Sequence, residues 1–209
     1  MSIQSRSRER GSALVEFLLC FALFWVPLFF GSLVIGLNLI REIQVTQICR
    51  DAGHMYSFGT DFSLAGNQTL LAELAPNLNL SSTNPGNAYI VFSTVTFVDA
   101  SACLSGTGKS TCPNLNKAVI TRRIVIGNSA VHALSNIGNP ASTIIGSGGV
   151  IKPSDYTTDA TAVAPAFRNL IALSSSSQNS YVTEMWASSS DLNIWGPLGN
   201  VQPSARFFF

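Results

Sequence analysis

The chain has 209 residues, of which 11% are charged, and a formal charge of +1 with no basic run. That balance argues against a nucleic-acid-binding protein, which needs a clustered cationic face. Without Arg6, Arg8, Glu9 and Arg10 there remain nine basic and ten acidic side chains, a net charge of −1.

The first element dominates the rest. From Phe17 to Ile40 there are 24 consecutive uncharged residues, directly behind the three arginines. As a helix this run is ~36 Å long, enough for a ~30 Å hydrocarbon core with some tilt. It exceeds the ~7–15 apolar residues of a signal peptide and lacks an Ala-x-Ala cleavage site, so a retained membrane helix is expected. Three arginines before it and the balanced Arg41/Glu42 pair after it predict a cytoplasmic N-terminus and an outer C-terminal domain. Pro27 can kink the span without preventing it.

Glu16 interrupts the first turn of this helix. One reading is that it stays hydrated near the headgroups and favours the helix N-terminus through the macrodipole. The other is that a carboxylate at this depth has a cationic partner, because burying it alone costs up to ~2.5–3.5 kcal/mol at the centre of the membrane.

Gly11-Ser12-Ala13-Leu14-Val15-Glu16-Phe17, behind the basic leader, resembles the class III signal of type IV pilin-like proteins. More narrowly, the chain resembles the TadE/TadG-like pseudopilins of tight-adherence (Flp-type, type IVc) pilus systems, whose helices open R-G-x-x-x-V-E-F. The resemblance implies cleavage by a prepilin peptidase between Gly11 and Ser12. It also implies that Glu16 pairs with the free N-terminal amine of a neighbouring subunit. Phe17, Phe21, Phe24 and Phe29 would then pack helix against helix, or else face lipid. Arg50-Asp-Ala-Gly-His-Met-Tyr-Ser-Phe-Gly-Thr-Asp-Phe62 extends the similarity, and Tyr181–Trp186 and Ala205-Arg206-Phe207 are similar to the closing strands of such chains.

Beyond the span, Val45, Ile48, Ala52 and Met55 recur at helical spacing, so one helix is expected from about Ser12 to Tyr56, ended by Gly59 and laying this stripe on the outer domain. A short helix is predicted over Gln68–Leu74, capped by Asn67, with Pro76 beyond its end. Ala88–Val98 and Lys117–Ile126 are β-rich and predict an antiparallel pair; Tyr181–Ala187 predicts a third strand and Ala205–Phe209 a fourth, edge strand. The segments 77–87 and 138–149 carry turn residues, 164–173 is weakly amphipathic, and 174–177 is a serine run.

The chemistry-bearing motifs are weak. Cys103-Leu-Ser-Gly-Thr-Gly-Lys-Ser110 mimics the tail of a phosphate-binding loop, but Cys103 replaces its first glycine and Pro113 follows closely, so a flexible loop closed by cysteines is expected instead. Cys103 and Cys112 predict a disulfide in an exported domain, contributing ~2–3 kcal/mol. Cys20 lies in the span, and Cys49 is either buried or paired between subunits. Cys49 and His54 lack the second half of a zinc site. Gly127-Asn-Ser-Ala-Val131 near His132 falls short of a nucleophile elbow, and Asp155 and Asp159 are expected to be solvated.

The expected fold is α+β: a leader at 1–11, a transmembrane and continuing amphipathic helix at 12–58, and an extracytoplasmic domain at 59–209 with a mainly antiparallel sheet. The resemblance implies a non-enzymatic, cofactor-free structural component or assembly factor of a tight-adherence pilus, anchored in the bacterial inner membrane. Its expected partners are the membrane, prepilin peptidase, other pilin or pseudopilin subunits and the pilus assembly machinery. The alternative is a single-pass anchor displaying a domain that binds a surface, a glycan or an envelope partner; a tethered hydrolase built on His132 ranks last.

Overall fold

A computed structural model describes residues 5–76, 78–80, 86–132, 134–165, 167, 173–188 and 202–209, with residues 5–11 described through their backbone alone. The fold is α+β, a long apolar N-terminal helix followed by a domain built on a four-stranded antiparallel sheet. Part of the predicted 164–173 segment lies outside the described residues.

The helix runs unbroken as α1 (Ser5–Cys20), a π-helical turn (Phe21–Trp25) and α2 (Val26–Ser57). It begins seven residues before the expected Ser12, because the leader's Arg and Glu are themselves good helix formers. Proline removes one backbone donor and crowds the preceding turn. Pro27 sits just behind the π turn, where Val26 N–H reaches back to the Phe21 carbonyl. That wider turn accommodates the proline without breaking the helix. At the far end Gly59, at φ +95°, donates to the Tyr56 carbonyl at 3.0 Å while Thr60 donates to that of Met55 at 2.9 Å. This is a Schellman stop, and only glycine adopts that backbone at no steric cost.

The sheet order is β2-β1-β3-β4, comprising β1 (Ala88–Phe97), β2 (Ala118–Gly127), β3 (Asn179–Ala187) and β4 (Ser204–Phe208). All neighbours are antiparallel, and β4 is an edge. The C-terminal half of α2 lies on one face, where Val45, Cys49, Ala52 and Tyr56 pack with Ile90, Phe92, Ile124, Met185 and the Phe62 ring. The stripe is turned from its expected position: Cys49, Gly53 and Tyr56 are buried, whereas Ile48 and Met55 sit at its margin. Gly53 is there because a Cβ would run into the Phe209 ring and lie 3.0 Å from Thr183 Oγ1.

A bulge gives the sheet its second core. Thr94 pairs with Arg122 but Val95 pairs with Ile120, leaving Thr121 as an extra residue. Since alternate residues of a strand face opposite sides, one inserted residue swaps the faces. Ile124 and Ile126 therefore join the helix side, while Ala118 and Ile120 join Val95, Ile137, Ile151 and Phe167 on the other.

Two local expectations are corrected. The second helix is α3 (Ala65–Leu74), preceded by Leu64; Asn67 instead donates its amide to the Asp61 carbonyl at 2.8 Å. The turn before it is held by Asp61, whose Oδ1 accepts from Ser63 N at 2.9 Å and Ser63 Oγ at 2.7 Å. The expected flexible loop after β1 begins as α4 (Ala100–Thr107), whose first turn is capped by Asp99 accepting from Ala102 N at 2.9 Å. The turn-rich stretch that follows β2 bridges back onto it, Arg122 to Val150 and Val119 to Val163.

Candidate functional site

The bond between Gly11 and Ser12 lies within α1. One turn on, Ser12 Oγ approaches Glu16 Oε1 at 3.4 Å, a long and weak contact, and the Glu16 side chain is exposed. Among the described side chains no cation pairs with Glu16. It therefore stands at the head of the apolar helix with its charge uncompensated by the chain's own described side chains.

Around and beyond it the helix is bare. Phe17, Phe21, Phe24 and Phe29 are 67, 47, 67 and 61% exposed, and uncovered apolar side chains continue to Ile43. Among the described residues this is the one helix long and apolar enough to cross a membrane, with a mean hydropathy of 2.4 in its most apolar stretch and 6% of that stretch buried. An apolar surface of this extent is stable only when lipid or another apolar surface covers it. The π turn opens a notch of about 200 Å³ between Phe21, Trp25, Val26, Phe29 and Phe30, and the Phe29 and Phe30 rings meet edge to face at 5.9 Å.

The junction is rigid by contrast. Cys49 Sγ reaches the Thr183 carbonyl at 3.4 Å and the Ala205 carbonyl at 3.5 Å, tying helix to β3 and β4. Its thiol is completely buried. Burial, with a smaller push from the Glu184 charge, raises it to about 12. Of the two fates left open for Cys49, burial within the subunit is the one adopted. Tyr56 fixes the end of the helix through a 2.7 Å hydrogen bond between its hydroxyl and Thr94 Oγ1. Cys20 is a free, exposed thiol in the apolar helix.

Cys103 and Cys112 form a disulfide that closes the turn after α4 and packs with Val98, Ala102 and Val119. The phosphate-loop mimic sits at the wrong end of this helix. Gly108, at φ +72°, caps its C-terminus and Lys109 follows, where carbonyls rather than amides point outward. His132 stacks on Trp186 with ring centroids 4.1 Å apart. Asp159 holds the next turn by accepting from Thr161 N and Oγ1, both at 2.7 Å, and these bonds keep its carboxyl below the usual range.

No protein-family model, curated protein or solved structure matches this chain.

Sequence reasoning missed one polar centre. Glu184 is completely buried on the sheet face away from α2. It accepts from Ser135 Oγ, from Asn136 N at 3.3 Å and from Arg206 Nε at 2.9 Å. Nearby, Arg123 is buried and donates to the Gly138 carbonyl, and desolvation lowers its pKa against the pull of Glu184. These bonds pin the 135–139 segment across the sheet. The signal was present in the strand's alternation, since Val182 and Trp186 are apolar and Glu184 shares their face.

Proposed function

We propose that this chain is a TadE-like minor pilin or pseudopilin: a structural protein anchored in the inner membrane and assembled, through its N-terminal helix, into or at the base of a tight-adherence pilus. The observation that carries this reading is a single unbroken helix, bare over the apolar half that begins with Glu16 and locked to the sheet over its outer half. Such a shape presents one end for lateral packing while the other holds a folded domain outside.

The Gly11–Phe17 motif supports a prepilin-type route. Cleavage after Gly11 would free an ammonium at Ser12, and the Glu16 of a neighbouring helix would supply its counter-charge. Either ion alone is costly in hydrocarbon, and the pair offsets both costs while fixing the stagger between helices. Prepilin peptidase and other pilin subunits are the partners this route requires, with the sheet domain on the outer side of the membrane.

Replacing Glu16 by Gln tests the pairing. The variant should reach the membrane at normal levels yet lower the yield of sheared pili by about tenfold or more, the equivalent of losing ~1.4 kcal/mol per assembly step. Normal piliation with Glu16→Gln would remove the pairing from the account.

A further inference from the structure

The α2 helix stops before it covers its whole side of the sheet. Past the Schellman turn at Gly59 the strand ends carry Thr94 and Thr96 on β1, paired with Tyr181 and Asn179 on β3. This polar quartet continues the same side that holds Ile90, Phe92 and Met185 under the helix. The uncovered end forms an open cleft of about 480 Å³. Its walls include Tyr56, Thr60, Arg122 and Tyr156. The extra residue of the bulge, Thr121, lines it too, and bulges commonly re-aim side chains beside binding sites.

The polar groups of the cleft divide into two sets. One set is internally satisfied: Tyr56 hydroxyl bonds Thr94, and Thr96 Oγ1 donates toward the Gln178 carbonyl at 2.9 Å. The other set is available. The Thr60, Tyr156 and Tyr181 hydroxyls and the Asn179 amide make no side-chain hydrogen bond to any described residue. Among the described residues that line the cleft Arg122 alone is charged, and it is already neutralised by Asp61 at 2.6 Å while its Nε donates to the Gly148 carbonyl at 2.9 Å.

We propose that this cleft binds a short neutral saccharide. Hydroxyls and an amide both donate and accept, as the hydroxyls of a sugar require, while tyrosine rings offer apolar area to its C–H faces. With no carboxylate among the described lining residues and its arginine compensated, that lining gives no charge to recruit a cationic or strongly anionic ligand. The volume lies within the ~300–1,000 Å³ of small-ligand sites. The position fits an external ligand as well: Tyr56 lies ~24 Å along the helix beyond Ile40. The inference holds whether or not the chain is processed after Gly11, so its failure and that of the pilin reading are separate outcomes.

The test is saturation-transfer NMR on the full chain in lipid nanodiscs, which avoids sugar-headed detergents. The probes are cellobiose, maltose and N,N′-diacetylchitobiose, with galacturonate as an anionic control. At least one neutral disaccharide should receive saturation, and Tyr156→Phe with Asn179→Ala should weaken its binding by about tenfold, as expected for two lost hydrogen bonds. Asn179→Ala alone, at an exposed strand start, serves if the double variant does not fold. Silence from all three neutral probes, transfer unchanged in the folded variant, or transfer to galacturonate alone would overturn the proposal.

Discussion

Cys49 is the residue at which helix and sheet are sealed together, and its burial has a measurable consequence. The folded state holds the thiol proton up to about pH 12, whereas an ordinary thiol releases it near 9.0. The native chain therefore binds this proton more tightly than the unfolded chain. The associated stability is complete below pH 9 and is lost as pH rises toward 12. At pH 8 the native thiolate fraction is about a thousandfold below that of an ordinary thiol. In a Cys20→Ser background, where Cys49 is the remaining free thiol, a thiol-specific reagent should modify the native protein at least a hundredfold more slowly than the unfolded one. Equal rates would mean the helix does not stay docked. Glu184 makes the companion case on the opposite face. Glu184→Gln weakens the hold on Ser135, Asn136 and Arg206 and removes the charge opposing buried Arg123, so it should lower unfolding stability by about 1–3 kcal/mol. Denaturant titration of the sheet domain's tryptophan fluorescence would check this, and an unchanged midpoint would contradict it.

At the scale of elements, β1, β2 and β3 were legible because their β-branched and aromatic runs are long, and the short β4 showed in the closing phenylalanines. The continuous burial of β1 reflects a strand with cores on both sides. The length of the N-terminal helix was equally plain from its uncharged run. The short helix α4 was not, since Ser, Gly and Thr make up much of it and its one strong signal is the Asp99 cap. The α2 stripe was misplaced by one position because two of its buried members, Cys49 and Gly53, are small. The cleft was invisible in sequence, since it depends on where a helix stops relative to a strand pair far along the chain. The bulge was likewise hidden, yet it decides which side β2 serves. Deleting Thr121 would turn either Ala118–Ile120 or Arg122–Ile126 to the wrong face. The expected outcome is a chain without native near-ultraviolet dichroism. A deletion variant that keeps native dichroism and stability would show that the bulge is dispensable.

At the scale of the whole molecule, two surfaces of opposite character share one helix. The inner half exposes apolar side chains from Leu14 to Ile43 and leaves Glu16 without a described cationic partner. The other half is packed on the sheet, with the Phe62 ring and α3's Leu71 in the same core. A processed assembly helix and a plain anchor differ in where the mature chain begins. The most direct measurement is the mass of the mature N-terminus, taken from membranes of cells with and without the prepilin peptidase. For the pilin-like helix proposed above, the chain begins at Ser12 when the peptidase is present and is unprocessed when it is absent. A chain beginning at Met1 or Ser2 in both would contradict it and leave a single-pass anchor carrying the sheet domain.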